Sequence, residues 1–295
     1  MAAGRHWCLP TANACTAPRA HRATLLVIRP KYDIDQLDNR DPELIERLVG
    51  WVERVAVPYH RAEVWGAERV PEGAALYVGN HNGGAYSVDT VLFGAAVFRV
   101  HGLSAVPYGL GHEIAISLPG VNELLVPLGA VRASHGNAMR IFEAGHKVLV
   151  YPGSDFDSMR PFRHRHRIVF GGRRGYVRLA LEAGVPIVPV VSAGAQSTFV
   201  VLDDGRWLAR LIRADRLFRT KTWPITLCLP WGVSFLPLFP YIPLPARIRV
   251  EVLDPIHFEH TGKEAAGDEA WVGECAARVE TTMQETLTRL SEGLL

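Results

Sequence analysis

Residues 74–89, AALYVGNHNGGAYSVD, contain the pattern that decides the fold and the site. The apolar run 74–79 predicts a buried strand, and the glycines after it predict a loop that leads into a helix. His81 then lies where the strand ends, and an imidazole there can accept a proton from a hydroxyl at neutral pH if a carboxylate orients it. Asp89 is the nearest carboxylate. The alternative is that His81 caps the helix and Asp89 is a surface residue of its first turn.

The rest of the chain alternates apolar runs of strand length with amphipathic runs of helical period. This alternation predicts an α/β fold with a mainly parallel central sheet flanked by helices, in which the loops after the strands carry the chemistry. The predicted helices are residues 41–57, 89–97, 134–144, 172–183 and 269–290. The predicted strands are residues 76–79, 105–108, 147–151 and 186–191, with 247–253 as a late edge strand.

Length, charge and cysteine content limit the domains and the partners. A chain of 295 residues is long enough for one large α/β domain, so we expect a poorly ordered extension over residues 1–30 and a single domain over residues 31–295. A net charge of only +2 gives no global field that favours nucleic acid as a partner. The four cysteines form no CxxC pair, which predicts a reduced protein that faces the cytoplasm. His101, His112 and His146 are isolated in the sequence, so we predict no metal site.

Residues 223–246 form an apolar segment with no charged side chain. Its six prolines exclude a regular membrane-spanning helix. Trp223, Trp231 and Tyr241 have side chains that suit the boundary between lipid and water. We therefore expect the segment to lie on a bilayer or partly in it. The alternative is a proline-rich loop packed on the core of the domain itself.

Two groups of polar residues follow the strand predicted at 147–151. Pro152, Gly153 and Ser154 begin a turn whose backbone N–H groups can face an anion. Residues 160–181 contain no acidic side chain and predict an anionic partner, because arginine binds phosphate through two hydrogen bonds. The alternative is a solvated basic surface. The arginines of this run are Arg160, Arg163, Arg165, Arg167, Arg173, Arg174 and Arg178.

Four short blocks in this order resemble those of the glycerolipid acyltransferases, typified by lysophosphatidic acid acyltransferase, over roughly residues 70–255. The blocks are NH at 80–81 with a downstream Asp, PLGAVR at 127–132, VYPG at 150–153 and VPIVPV at 185–190. The resemblance implies acyl transfer from acyl-CoA or acyl-carrier protein to a hydroxyl of a lipid acceptor, with no bound cofactor. It implies that His81 is the base, Asp89 its partner, Arg132 a residue of the acceptor site, and residues 185–189 part of the acyl site.

Two departures from the family pattern bear on the site. Seven residues separate His81 from Asp89, whereas the family has four between its His and Asp, so residues 82–88 must bulge for Asp89 to reach the imidazole. The third block lacks the family's Glu and its phosphate-binding Arg, as in the diacylglycerol acyltransferase-like branch, whose acceptors are neutral alcohols. A lysophospholipid acceptor is favoured here on the expectation that Arg160 or Arg163 replaces the missing arginine; diacylglycerol or another neutral alcohol is the alternative.

These assignments combine into one hypothesis for the reaction. His81 removes the proton of the acceptor hydroxyl as the oxygen attacks the thioester, at the cytoplasmic face of a membrane on which the protein is peripheral or monotopic. Backbone N–H groups of Gly83 and Gly84, or of Gly153 and Ser154, stabilise the oxyanion. The predicted substrate-binding residues are Asn80, Gly83, Gly84, Arg132, Pro152, Gly153, Ser154, Arg160 and Arg163. A serine hydrolase is disfavoured because no GxSxG motif occurs. A non-catalytic lipid-binding protein on the same scaffold is the remaining alternative.

Overall fold

A computed structural model describes residues 30–84, 86–217, 223–235 and 240–294. The extension predicted for residues 1–30 lies outside these ranges except for its last residue, and it stays a prediction. The strands in the described part are β1 (Glu63–Trp65), β2 (Ala75–Gly79), β3 (Tyr108–Gly111), β4 (Ala130–Arg132), β5 (Lys147–Val150), β6 (Ile187–Ala193), β7 (Val200–Asp203), β8 (Ile225–Cys228), β9 (Gly232–Ser234) and β10 (Arg249–Val252).

Seven of these strands form the central sheet, in the order β1-β10-β6-β2-β5-β3-β4. The five strands from β6 to β4 run parallel to their neighbours, and β10 is antiparallel to β6. The edge strand β1 is parallel to β10. The predicted α/β fold with a mainly parallel sheet is therefore confirmed.

The helices in the described part flank this sheet. They are α1 (Pro42–Trp51), α2 (Val57–His60), α3 (Val88–His101), α4 (Glu113–Ile116), α5 (Val121–Leu125), α6 (His135–Glu143), α7 (Asp155–Ser158), α8 (Gly175–Ala183), α9 (Arg206–Leu211), α10 (Ala214–Leu217), α11 (Lys263–Gly267) and α12 (Glu269–Ser291). A π-helical turn, Val52–Ala56, joins α1 to α2, so the helix predicted over residues 41–57 is one interrupted helical segment. The Asp41 side chain caps it by accepting a hydrogen bond from the Leu44 N–H.

The central strand β2 is buried on both faces, as a continuous apolar run predicts. Successive side chains of a strand point to opposite faces, so Leu76 and Tyr77 belong to different halves of the core. Leu76 packs in the half formed with α6, α8 and α12. Tyr77 packs in the half formed with α1 and α3. The site at the end of β2 is thus held between two packed layers.

Two strand predictions were wrong in detail. Residues 105–108 are not a strand, because Leu103–Ala105 form a 3₁₀ turn in which the Val106 N–H bonds to the Leu103 carbonyl, and pairing begins only at Tyr108. The strand predicted at 247–253 is present as β10, but it lies between β1 and β6 rather than at an edge. Its alternation of apolar and charged residues arises because Glu251 faces Arg69 and Arg289 on one side of the sheet.

A second, antiparallel sheet consists of β7, β8 and β9. It contains the first half of the apolar segment 223–246, so this half is neither a membrane helix nor an irregular loop. Tyr241, predicted for a lipid boundary, is buried at 4% exposure against Phe199. Trp231 is 46% exposed, as expected for the boundary position. In the described ranges, no helix combines the length and the apolar character needed to cross a bilayer.

Candidate active site

His81 lies directly after β2, at the carboxyl end of the central parallel strands, where sites of open α/β sheets occur. Its ring is partly exposed and packs on the Tyr151 ring, with 4.8 Å between centroids. Burial, with a smaller contribution from the Arg160 charge, lowers the pKa of His81 to about 4. The imidazole is therefore neutral at pH 7 and can accept a proton.

This pKa predicts a pH dependence of stability that can be isolated with a variant. The unfolded chain binds a proton at His81 below pH 6.5 and the folded chain only below about pH 4, so His81 makes the protein less stable as the pH falls through that window. We expect wild type to lose stability relative to His81→Ala between these two pH values, as measured by urea unfolding. A stability difference that is constant across the window would contradict the lowered pKa.

Instead of contacting each other as predicted, His81 and Asp89 each have a different hydrogen-bond partner. The imidazole Nδ1 lies 3.3 Å from the Ser87 hydroxyl oxygen. The Asp89 carboxylate instead accepts a hydrogen bond of 2.9 Å from the Asn82 side-chain amide. The cause is the long loop: Asn82 follows His81 and reaches back to Asp89, whereas Ser87, at the N-terminus of α3, is nearer to the ring.

Asp89 is nevertheless part of the site rather than a surface residue. It is 4% exposed, and burial raises its pKa to about 6. The carboxyl group is therefore still mainly ionised at pH 7 and accepts the hydrogen bond from the Asn82 side-chain amide. The alternative in which Asp89 lies on the surface is excluded by its burial, and the residue before α3 is Ser87 rather than His81.

The backbone of His81 is held by a residue that the sequence did not indicate. The Asp157 carboxylate accepts a hydrogen bond of 2.6 Å from the His81 N–H, across 76 positions of the chain. Asp157 has no exposed surface, and burial raises its pKa to about 6, opposed by the Arg160 charge. The only signal in the sequence was its place in the polar run that follows the third block.

Arg160 completes this buried network and is not a surface residue. Its guanidinium forms an ion pair with Asp157 and donates a hydrogen bond of 2.7 Å to the Asn82 side-chain oxygen. Arg160 is 2% exposed. Its charge neutralises Asp157, and its role in binding an anionic substrate stays a prediction. The network thus runs from Asp89 through Asn82, Arg160 and Asp157 to the backbone of His81.

The loop after His81 is fixed from the opposite side as well. Gly83 donates a hydrogen bond from its N–H to the Gln196 side-chain oxygen at 3.2 Å, and its carbonyl accepts one of 2.7 Å from the Tyr241 hydroxyl. Gly84 has φ +70°, and a Cβ there would lie 2.9 Å from the Phe199 ring. Only glycine fits this left-handed position beside an aromatic ring without displacement.

The Asn80 side chain, at the start of the His81 loop, bonds to the backbone of the neighbouring strand β6. Its side-chain oxygen accepts from the Ser192 N–H and its amide donates to the Ser192 carbonyl, both at 2.9 Å. Asn80 therefore ties the ends of β2 and β6 together. Its predicted role in substrate binding stays a prediction beside this structural one.

The structure narrows the choice of oxyanion donors. The N–H of Ser154 bonds to the Tyr151 carbonyl at 3.0 Å, and that of Gly83 is engaged by Gln196. Gly84 and Gly153 remain as the predicted donors. Gly153 is confined: a Cβ there would lie 2.3 Å from the Asp157 Cβ, so the turn that starts at Pro152 packs directly on the network that holds His81.

The remaining predicted arginines lie away from His81. Arg132 is on β4, three strands from β2 and hence about 14 Å across the sheet. It forms an ion pair with Asp35 and lies 3.8 Å from Glu113. Arg163 is exposed and lies 4.0 Å from Asp203. The basic run is therefore partly neutralised by carboxylates from elsewhere in the chain, including Glu269, which pairs with Arg178.

An apolar cavity of about 190 Å³ opens beside the site. It lies between the sheet and the layer formed by α1 and α3, and Thr90 and Val91 from the first turn of α3 bring it next to Asp89. The sequence analysis did not predict it, because its walls come from five separate segments. Its other lining residues are Ile45, Leu48, Val49, Val52, Phe93, Gly94, Ala95, Val106, Pro107, Gly109, Leu125, Leu128, Gly129, Ala130 and Leu149.

Comparison with known proteins identifies the family. The model of the acyltransferase family matches residues 61–193, which include β2, His81 and all four blocks. The crystal structure of the 1-acyl-sn-glycerophosphate acyltransferase PlsC from Thermotoga maritima has the same fold, with a TM-score of 0.52 and 16% identity over 84% of this chain and 79% of that one. These matches support the glycerolipid acyltransferase family for this chain.

Among relatives in sequence, an uncharacterized protein of Mycobacterium tuberculosis is 31% identical over 242 residues, which are 80% of this chain and 63% of that protein. The mouse protein named "DGAT1/2-independent enzyme synthesizing storage lipids" is 27% identical over 69% of this chain and 55% of its own length. The chain thus spans less than two thirds of the length of these relatives. The resemblance inferred from the four blocks is confirmed at the level of the family.

Proposed function

We propose that this protein is a membrane-peripheral O-acyltransferase that moves a fatty acyl group from an acyl thioester to the hydroxyl of a neutral glycerolipid. The observation that carries the proposal is the neutral, partly exposed imidazole of His81 at the end of β2, beside an apolar cavity. A neutral base next to an apolar cavity suits a reaction between a hydroxyl and a long acyl chain.

In the proposed reaction the acceptor oxygen attacks the thioester carbonyl carbon while its proton passes to Nε2 of His81. Nδ1 carries the other proton and donates a hydrogen bond to the Ser87 hydroxyl oxygen, which orients the ring. The carbon–sulfur bond then breaks, and the imidazolium returns the proton to the departing thiolate. Because a thioester is already activated, no acyl-enzyme is required. The N–H groups of Gly84 and Gly153 are the proposed oxyanion donors.

The cavity between α1 and α3 is the proposed site of the acyl chain. Gly94 lines it, and a Cβ at this position would meet no atom within 4 Å. We therefore expect Gly94→Leu to fill the cavity and lower transfer from long-chain donors by about tenfold, while shorter donors are affected less. The measurement is kcat/KM for a series of acyl-CoA lengths.

The control for this variant is Gly136→Leu. Gly136 is also helical, in α6, and has open space around its Cβ position, but it is exposed and far from the cavity lining. It should leave the chain-length profile unchanged. A profile shifted equally by both variants, or by neither, would remove the acyl chain from the cavity.

A neutral acceptor is proposed because the described arginines predicted to hold a phosphate are otherwise engaged or distant. Arg160 is buried on Asp157, and Arg132 is paired with Asp35 at the far side of the sheet. Two relatives have names that fit this choice: the mouse enzyme is named for storage lipids, and a protein of Eremothecium gossypii, 25% identical over 48% of this chain, is named diacylglycerol O-acyltransferase 1. The lysophospholipid acceptor favoured by the sequence becomes the competing outcome of the test.

The test offers the purified protein in detergent a labelled long-chain acyl-CoA and, separately, the same acyl group on acyl-carrier protein. The acceptors are diacylglycerol, a long-chain alcohol and lysophosphatidic acid. We expect labelled triacylglycerol as the main product, whereas wax ester as the main product would overturn the glycerolipid acceptor. Preference for lysophosphatidic acid would overturn the neutral acceptor, and transfer to none of the acceptors would overturn the acyltransferase activity.

A further inference from the structure

The sheet of β7, β8 and β9 has one buried and one exposed face. Val201, Thr226, Cys228 and Ser234 point inward and are buried. On the other side Leu227 lies opposite Val233, and both are exposed, at 39% and 60%. The surface called here the outer face consists of Leu202, Leu227, Leu229, Trp231, Val233 and Phe235, all exposed.

This concentration of exposed apolar side chains is unusual for the molecule. Nine of the nineteen large apolar side chains that are exposed in the described part lie between residues 202 and 242. Two of them, Trp207 at 57% and Leu211 at 74%, are on α9, in the connection from β7 to β8. Contiguous exposed apolar surface marks an interaction site rather than ordinary solvent contact.

The charge of residues 205–222, next to the outer face, indicates which kind of partner binds there. Residues 205–222 contain six basic side chains and one acidic side chain. Within the described part of this connection, Arg210, Arg213 and Arg216 are exposed, whereas Arg206 is paired with Asp204. An apolar face with tryptophan and a basic rim complements a lipid surface that carries negative headgroups.

The buried face of the same sheet leads to the candidate active site. Phe199 packs with Val201, Cys228 and Tyr241 in one apolar cluster. Tyr241 in turn holds the loop after His81: it donates to the Gly83 carbonyl and accepts a hydrogen bond of 2.9 Å from the Tyr86 N–H. The outer face is therefore separated from the catalytic loop by little more than the thickness of one sheet and one aromatic layer.

We propose that the outer face, together with α9 and the exposed arginines that follow it, docks on the surface of a bilayer that contains anionic phospholipids. Docking there places the His81 loop beside the membrane in which a lipid acceptor resides. The role given to this docking surface rests on the proposed function, but vesicle binding can be measured independently of acyl transfer.

The first experiment is sedimentation of the full-length protein with vesicles of phosphatidylcholine, with and without phosphatidylglycerol. The apolar test variant is Trp231→Ser with Val233→Ser. Its matched control is Trp65→Ser with Val100→Ser, a tryptophan and a valine of similar exposure, 42% and 52%, on β1 and α3. We expect the test variant to bind vesicles about tenfold more weakly or worse, and the control to bind like wild type.

The second experiment tests the charge. Arg210→Gln with Arg213→Gln should weaken binding to vesicles that contain phosphatidylglycerol by about tenfold, which removes the gain in affinity that this lipid gives. The affinity of this variant should also depend less on salt concentration. The matched control is Arg47→Gln with Arg54→Gln, two exposed arginines of the first helical segment. Equal binding of both arginine variants to anionic vesicles would overturn the role of the basic rim.

Three further outcomes would overturn the docking surface as a whole. These are unchanged vesicle binding by the apolar test variant, equal loss by its control, or a wild-type dimer in light scattering that the test variant converts to a monomer. Far-ultraviolet circular dichroism and thermal unfolding verify that each variant is folded. In detergent the test variants should retain wild-type transfer, so failure of vesicle binding and failure of catalysis are read separately.

Discussion

Replacement of His81 by alanine should lower kcat for acyl transfer by about 100- to 10,000-fold, the usual contribution of a positioned general base. The fold should survive, because the His81 contact that anchors the loop uses its backbone N–H and not its ring. Initial rates with labelled acyl-CoA and diacylglycerol measure this effect. KM for the donor should change little, since the ring is predicted to act on the acceptor proton.

The matched control for this variant is His135→Ala. His135 is exposed, on α6, and its ring contacts Glu182. It should keep wild-type kcat. Near-normal turnover by His81→Ala would show that another group removes the proton, and equal loss in both variants would point to damage unrelated to the site.

Replacement of Asp157 by asparagine should have the largest effect on stability. It removes the negative partner of Arg160 and leaves a guanidinium buried at 2% exposure without a counter-charge. Breaking a buried pair in this way typically costs about 3–5 kcal/mol. Urea unfolding followed by circular dichroism gives the change in the free energy of unfolding. A loss below about 1 kcal/mol would show that the pair is not desolvated as the structure has it.

A double variant separates this structural effect from a role in positioning His81. Asp157→Leu with Arg160→Met removes both charges, so much of the stability should return. Transfer should stay low, because the His81 N–H then lacks its carboxylate acceptor and the loop loses its anchor. Recovery of both stability and kcat would reduce Asp157 to a purely structural residue. Recovery of stability alone assigns it a positioning role.

The relation between sequence and structure differs from element to element. The strand at 76–79 and the helices at 134–144 and 269–290 were predicted within one or two residues, because a fully buried strand leaves a continuous apolar run and one-sided burial of a helix leaves a helical period. The strand at 247–253 was predicted in type but not in place. A strand's own residues do not say which neighbours it will have, and its position between β1 and β6 follows from pairing with segments about 60 and 180 residues away.

In the candidate site, too, some features could be predicted from the sequence and others depend on tertiary packing. His81, the glycines after it and the order of the four blocks could be read from the sequence, because local chemistry and spacing define them. Asp157 as acceptor of the His81 N–H and Arg160 as its buried partner could not be read. Charged residues are expected on surfaces, and the burial of this pair depends on Asn82, Gln196 and the turn at Gly153 closing around it.

By itself the sequence indicated the α/β class, the resemblance to the family and the location of His81 at the end of a buried strand. Only the tertiary structure decided that Ser87 rather than Asp89 contacts the imidazole, that Arg160 pairs with the buried Asp157, and that the first half of the apolar segment 223–246 belongs to a sheet with one face exposed. The physical reason is that periodicity records which side of an element is buried. Hydrogen-bond partners and exposed faces depend on how distant elements pack together, and no local pattern records that packing.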